Sequence, residues 1–116
     1  MSGAPLRKHP WGVIISLLFV IYTLWPQHPA IPVQRATQRD WNPQSFWFEP
    51  WGASGVHKGV DIFAREGTPI IAPVPGIVIF TGNLAKGGNV VVLFTTKWRV
   101  HYFAHLKCID STIGQA

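Results

Sequence analysis

Residues 76–94 read GIVIFTGNLAKGGNVVVLF, two runs of Ile, Val, Leu and Phe separated by the polar, glycine-rich segment Asn83 to Gly88. Branched and aromatic side chains suit a pleated, half-buried backbone, and glycines supply the positive-φ positions that a tight reversal needs. The stretch therefore predicts a β-hairpin. Short runs of the same kind flank it, WFEPWG, GVDIFA and TPIIAPV before and RVHYFAHL after, with Gly and Pro between them. That spacing predicts a mainly β fold, an antiparallel β-sheet domain over residues 41–116.

The chain has 116 residues, 47% of them hydrophobic and 13% charged, which leaves room for one domain and a short targeting segment. Eleven Gly and ten Pro argue against an all-helical bundle, and the aromatic content argues against disorder. The net charge of +5 is concentrated near the start, where Arg7, Lys8, Arg35 and Arg39 stand against Asp40. No basic stripe with interleaved aromatics remains, so nucleic acid is not an expected partner. The one cysteine, Cys108, cannot form a disulfide within the chain. The sequence specifies no oligomeric state.

Residues 11–25, WGVIISLLFVIYTLW, carry no charge and are closed by Pro10 and Pro26. As a helix they span about 22 Å against a hydrocarbon core of about 30 Å, a length that suits a signal-peptide core or a thin signal anchor. Trp11, Tyr22 and Trp25 suit a membrane interface and no small-residue cleavage site follows, which favours an uncleaved single-pass anchor. Residues 1–10, with Arg7 and Lys8, are then a cytoplasmic n-region, and the domain lies in the periplasm or outside. Cleavage would instead make the domain a secreted one. Residues 26–40, PQHPAIPVQRATQRD, hold three Pro among polar residues and predict an extended linker.

Three histidines invite a chemical reading; His9 and His28, outside the domain, are expected to be solvated. In GVHKGVDIF, His57 and Asp61 are separated by three residues, and Gly55 and Gly59 allow the backbone to bring both side chains together. Imidazole nitrogen and carboxylate oxygen are competent zinc ligands, and a catalytic zinc site takes three protein ligands and leaves one position to water. Two ligands also fit a surface His beside an Asp on a turn. In RVHYFAHL, strand alternation puts His101, Phe103 and His105 on one face, with the two histidines about 13 Å apart, so at most one joins a given site.

The stretch GVHKGVDIFAREGTPIIAPVPGIVIFTGNLAKGGNVVVLF followed by YFAHL resembles the lysostaphin/LytM-type zinc metallopeptidases, the murein endopeptidases. The likeness lies in ordered blocks: Gly-x-His-x-Gly-x-Asp, a Gly-Thr-Pro-Ile turn, an Ala-Pro strand leading to a glycine, a Gly-Asn-x-Val strand, and a Tyr-x-x-His-Leu block. They run from about Gly52 to Leu106. The resemblance implies an antiparallel β-sheet peptidase domain, His57 and Asp61 as zinc ligands, and His105 as the first catalytic histidine. It also implies a peptidoglycan substrate, cut at a peptide bond of the stem or cross-bridge.

The departure from that family is as informative as the match. Its third zinc ligand and second catalytic histidine stand in a C-terminal His-x-His block, and no histidine follows His105 here. The expectation is a domain incomplete at its C-terminus, a fragment of an endopeptidase that is itself inactive and holds zinc weakly. The alternative is a catalytically incompetent relative that binds cell wall or activates another wall hydrolase. The strands APVPGIVIF and NVVVLF also resemble biotinyl and lipoyl carrier domains, but Lys86, on the predicted hairpin tip, lacks the neighbouring Met of that attachment site. Trp41, Trp47 and Trp51 form the densest aromatic cluster, just before the metal block; they suit the lining of a substrate groove, but the favoured expectation is that they cover one end of a sheet.

Overall fold

The computed structural model describes residue 3 and residues 9–116. Arg7 and Lys8, on which the cytoplasmic n-region rests, lie outside the described residues. The fold is mainly antiparallel β with one N-terminal helix, α1, over Trp11–Leu24. Five strands follow: β1 Trp41–Asn42, β2 Asp61–Ile62, β3 Gly76–Leu84, β4 Gly88–Thr95 and β5 Arg99–Leu106. β3, β4 and β5 form one antiparallel sheet in chain order, and β1 pairs with β2 in a second, two-stranded one.

The hairpin is the core of the molecule. β3 and β4 pair from Gly76 opposite Thr95 to Leu84 opposite Gly88, which leaves a three-residue loop, 85–87, shorter than the expected Asn83 to Gly88. Asn83 and Asn89 face each other inside the ladder, joined side chain to side chain at 3.1 Å, and Gly88 (φ +64) takes the left-handed position that closes the loop. Along β4 the buried positions fall on both faces, Val90 on one and Leu93 with Thr95 on the other. The near-continuous apolar run NVVVLF fits a strand covered on both sides. Val90 is the only fully buried large side chain among the described residues; Val33, Val74, Val78 and Leu93 complete a small core.

Within the Pro-rich stretch 26–40, residues 30–34 run extended and antiparallel to residues 69–73: Ala30 N–H donates to Pro73, Ile71 to Pro32 and Gln34 to Pro69, at 2.7–3.0 Å. Val33, bridged to Ile70, is thereby buried. Prolines cannot donate, but their carbonyls accept, and three of them complete this ladder.

The expected spanning helix over Trp11 to Trp25 is shorter in the structure. α1 has 14 residues, about 21 Å at 1.5 Å per residue, and ends before Trp25. No helix among the described residues is long and apolar enough to cross a membrane. α1 rests on the turn between β4 and β5: Trp98 stacks on Phe19 with centroids 5.8 Å apart, and the Lys97 ammonium lies 3.9 Å over the Tyr22 ring. Lys97 Nζ also donates to the Tyr22 carbonyl. The rest of α1 is exposed and apolar.

Candidate metal centre

The site begins with a turn. Thr37 and Asp40 cap the 3-10 turn Gln38–Asp40: the Asp40 carboxylate accepts from the Thr37 amide at 2.7 Å and from its hydroxyl at 3.0 Å. Both donors favour the ionised carboxylate and hold the Asp40 pKa below the ordinary aspartate value. The chain leaves this turn as β1, whose Asn42 stands opposite Asp61 and whose Trp41 stands opposite Ile62. The Phe63 amide bonds back to the Asp40 carbonyl at 2.8 Å. Asp61 is thus placed by pairing with a segment some twenty residues upstream, a relation that local periodicity does not carry.

His57 arrives by a different route. Its amide and carbonyl bond to Phe48 O and Trp47 N, at 3.0 and 2.6 Å, while Trp51 N meets Gly55 O at 2.9 Å to close the reversal between them. The side chain is 17% exposed. Its Nδ1 lies 2.7 Å from the Ser45 carbonyl, which can only accept, so neutral His57 carries its proton on Nδ1 and a bare lone pair on Nε2. That Nε2 stands 3.9 Å from Asp61 Oδ1. A Cβ at Gly59 would approach Nε2 to 3.3 Å, so the glycine leaves space for the imidazole beside the backbone.

The donor types, an imidazole nitrogen and a carboxylate oxygen, suit a metal ion. A distance of 3.9 Å is too long for a hydrogen bond and exceeds the about 3.3 Å between two ligand atoms on one tetrahedral zinc ion, so the pair must close by about half an ångström to share an ion. A metal-binding histidine characteristically donates its other ring N–H to a carbonyl or carboxylate, as His57 does. Asp61 is half exposed, which leaves the open side of the pair to solvent or substrate. No group of three His, Cys, Asp or Glu side chains able to hold a metal occurs among the described residues.

The other two histidines separate from each other. His101 and Phe103 share a face, as alternation predicts, with rings nearly parallel and 6.4 Å apart; His101 Nε2 is buried without a hydrogen-bond partner. His105 does not follow the alternation. The β4–β5 register slips between Asn89 and Val91, and His105 takes φ +58 with its amide bonded to Gly87 O at 2.7 Å. The bulge re-aims its side chain, leaving the residue exposed. A groove of about 520 Å³ takes Val60, Ile62, Ala104 and Leu106, the neighbours of Asp61 and His105, but not those two residues.

The sequence reading missed Ser45 and the placement of Trp51. The only local signal at Ser45 is the Asn-Pro-x-Ser turn, in which the Asn42 side chain accepts from the Gln44 amide.

Comparison with known proteins agrees with the blocks that surround these residues. The family model of peptidase family M23 matches residues 55–116, more than half of the chain. The uncharacterized lipoprotein YgeR of Escherichia coli (strain K12) is 39% identical over 65 residues, 55% of this chain and 26% of that protein. The L-Ala--D-Glu endopeptidase of Bacillus subtilis (strain 168) is 35% identical over 70 residues, 59% of this chain and 22% of that one. The murein hydrolase activator NlpD of Escherichia coli (strain K12) is 34% identical over 67 residues, 56% of this chain and 18% of that one. The chain spans about a quarter or less of the length of these relatives. No solved structure matches it.

Proposed function

Because the chain belongs to peptidase family M23, we propose that its domain is part of a zinc-dependent endopeptidase that hydrolyses peptide bonds in peptidoglycan stems or cross-bridges. One observation carries this reading: an imidazole whose Nδ1 proton is held by a carbonyl turns a bare Nε2 towards a carboxylate 3.9 Å away. The relatives named an endopeptidase and a murein hydrolase activator support the substrate class. A wall substrate puts the working site in the cell envelope.

In this reading His57 Nε2 and an Asp61 oxygen are the protein ligands that the described residues supply. Bound zinc supplies Lewis acidity at the scissile carbonyl and lowers the pKa of the water it holds. His105 is the catalytic histidine, and its exposed imidazole donates a hydrogen bond to the developing oxyanion or moves a proton to the leaving amine.

A second reading rests on the two-residue ligand set and on the likeness to an activator: the domain binds wall and regulates another hydrolase. One experiment separates them. The chain is incubated with purified peptidoglycan with and without excess zinc, and retention on the wall is measured. The peptidase reading expects zinc-dependent retention that His57→Ala and Asp61→Ala each abolish, because the ion they hold meets the substrate carbonyl. Retention that is independent of zinc and unchanged by His57→Ala and Asp61→Ala overturns it in favour of the regulatory role.

A further inference from the structure

One buried residue reaches both members of the pair, and it lies outside the residues that the family model matches. Ser45 is 5% exposed and ends the 3-10 turn Pro43–Ser45. Its carbonyl accepts from His57 Nδ1 at 2.7 Å. Its hydroxyl accepts from the Asp61 amide at 2.9 Å and donates to the Asn42 carbonyl at 2.6 Å. The main chain of Ser45 therefore fixes a side chain at position 57, while its side chain fixes the main chain at position 61.

That crossing matters because nothing regular joins the two ligands. Between His57 and Asp61 the backbone forms neither helix nor strand and passes through Gly59. Four residues of such a segment have no intrinsic reason to hold two donor atoms within reach of one ion. The Ser45 bonds substitute for that missing regularity. The carbonyl leaves the lone pair on Nε2, and the hydroxyl anchors the start of β2, from which the carboxylate projects.

We propose that Ser45 is a positioning residue for the metal pair, setting the tautomer of His57 and the backbone at Asp61 so that both donor atoms meet one ion. The proposal rests on the reading of His57 and Asp61 as ligands, and the test separates the two. Long-range proton–nitrogen NMR on the metal-free chain reads the tautomer directly. Nδ1–H is expected, and a His57 protonated on Nε2 overturns the assignment without any mutation. Titration with zinc alone, followed at His57 and Asp61, then compares the chain with Ser45→Ala and Ser45→Thr.

Ser45→Ala removes the acceptor for the Asp61 amide, and zinc affinity is expected to fall about tenfold, the effect typical of losing a partner one step removed from a metal. The Asp61 amide resonance moves upfield in the same variant, and Ser45→Thr, which keeps the hydroxyl, restores both. A Ser45→Ala chain that loses thermal stability yet binds zinc within twofold of the parent marks a merely structural hydroxyl and overturns the proposal. If zinc leaves the His57 and Asp61 signals of the parent unchanged, the ligand reading itself fails and the proposal falls with it. If Ser45→Ala does not fold, the parent's tautomer and the zinc affinity of Ser45→Thr decide. Nδ1–H with parental affinity supports the proposal; Nε2–H, or a weakened and folded Thr variant, overturns it.

Discussion

The indole of Trp51 lies against the imidazole of His57, with ring centroids 4.7 Å apart and planes inclined by 45°. With Nδ1 bonded to Ser45 on one side and an aromatic ring against its face, the imidazole has little freedom to turn. Trp51 thus packs on the candidate ligand His57, whereas the sequence reading favoured covering a sheet end over lining a groove for the tryptophan cluster. Trp51→Ala is expected to lower zinc affinity about tenfold, the low end of what losing an outer partner of a metal ligand costs, while Trp51→Phe keeps most of it. Zinc titration followed at the His57 ring protons checks this, and equal affinities in all three chains would refute it.

Zinc binding by the chain is expected to be weak, because two protein ligands leave the remaining positions to water. Equilibrium dialysis against zinc should give substoichiometric loading at micromolar metal, and His57→Ala or Asp61→Ala should each remove what there is. His101→Ala, on a residue outside the pair, should leave loading unchanged. Tight one-to-one binding by the parent chain would contradict the ligand count.

Acid should loosen the entrance to β1. The folded state holds the Asp40 pKa below its unfolded value through the Thr37 amide and hydroxyl. The stabilisation is therefore present above the unfolded aspartate pKa of about 3.9 and is lost as pH falls through the lower folded value. Asp40→Asn is expected to reduce the dependence of stability on pH in that window, and NMR titration of the Asp40 carboxyl measures the depression directly. A midpoint at or above the unfolded value would refute it.

The small core makes Val90 a sensitive position. Val90→Ala deletes two buried methyl groups at about 0.8 kcal/mol each, with a cavity contribution besides, for a loss of about 2 kcal/mol. Gly76→Ala should also destabilise the hairpin, since its Cβ would come within 2.5 Å of the Phe94 carbonyl, a backbone atom that cannot swing away. Denaturant unfolding monitored by circular dichroism measures both.

Self-association should follow α1. Leu17, Leu18, Phe19 and Leu24 are each more than half exposed on a helix that carries no charge, a contiguous apolar surface of the kind that drives association. Sedimentation of the chain with and without residues 1–26 is expected to show the larger species only when α1 is present. Equal sedimentation would place the association elsewhere.

The β-hairpin, the antiparallel sheet and the family blocks were legible in the chain, because strand pattern, turn glycines and motif spacing are local properties. The identities of His57, Asp61 and His105 as candidates came from the same source. Tertiary structure decided what those residues face. Pairing of β1 with β2 sets Asp61, a bulge in β5 turns His105 out of its alternation, and the carbonyl of Ser45 chooses the tautomer of His57. The proline-rich stretch is equally instructive: its composition reads as linker, yet proline carbonyls accept hydrogen bonds as well as any, and a partner strand some forty residues away uses them. Sequence pattern reports which faces are apolar and where the chain can turn; it does not report which distant backbone group completes a hydrogen bond, and at this site those bonds set the chemistry.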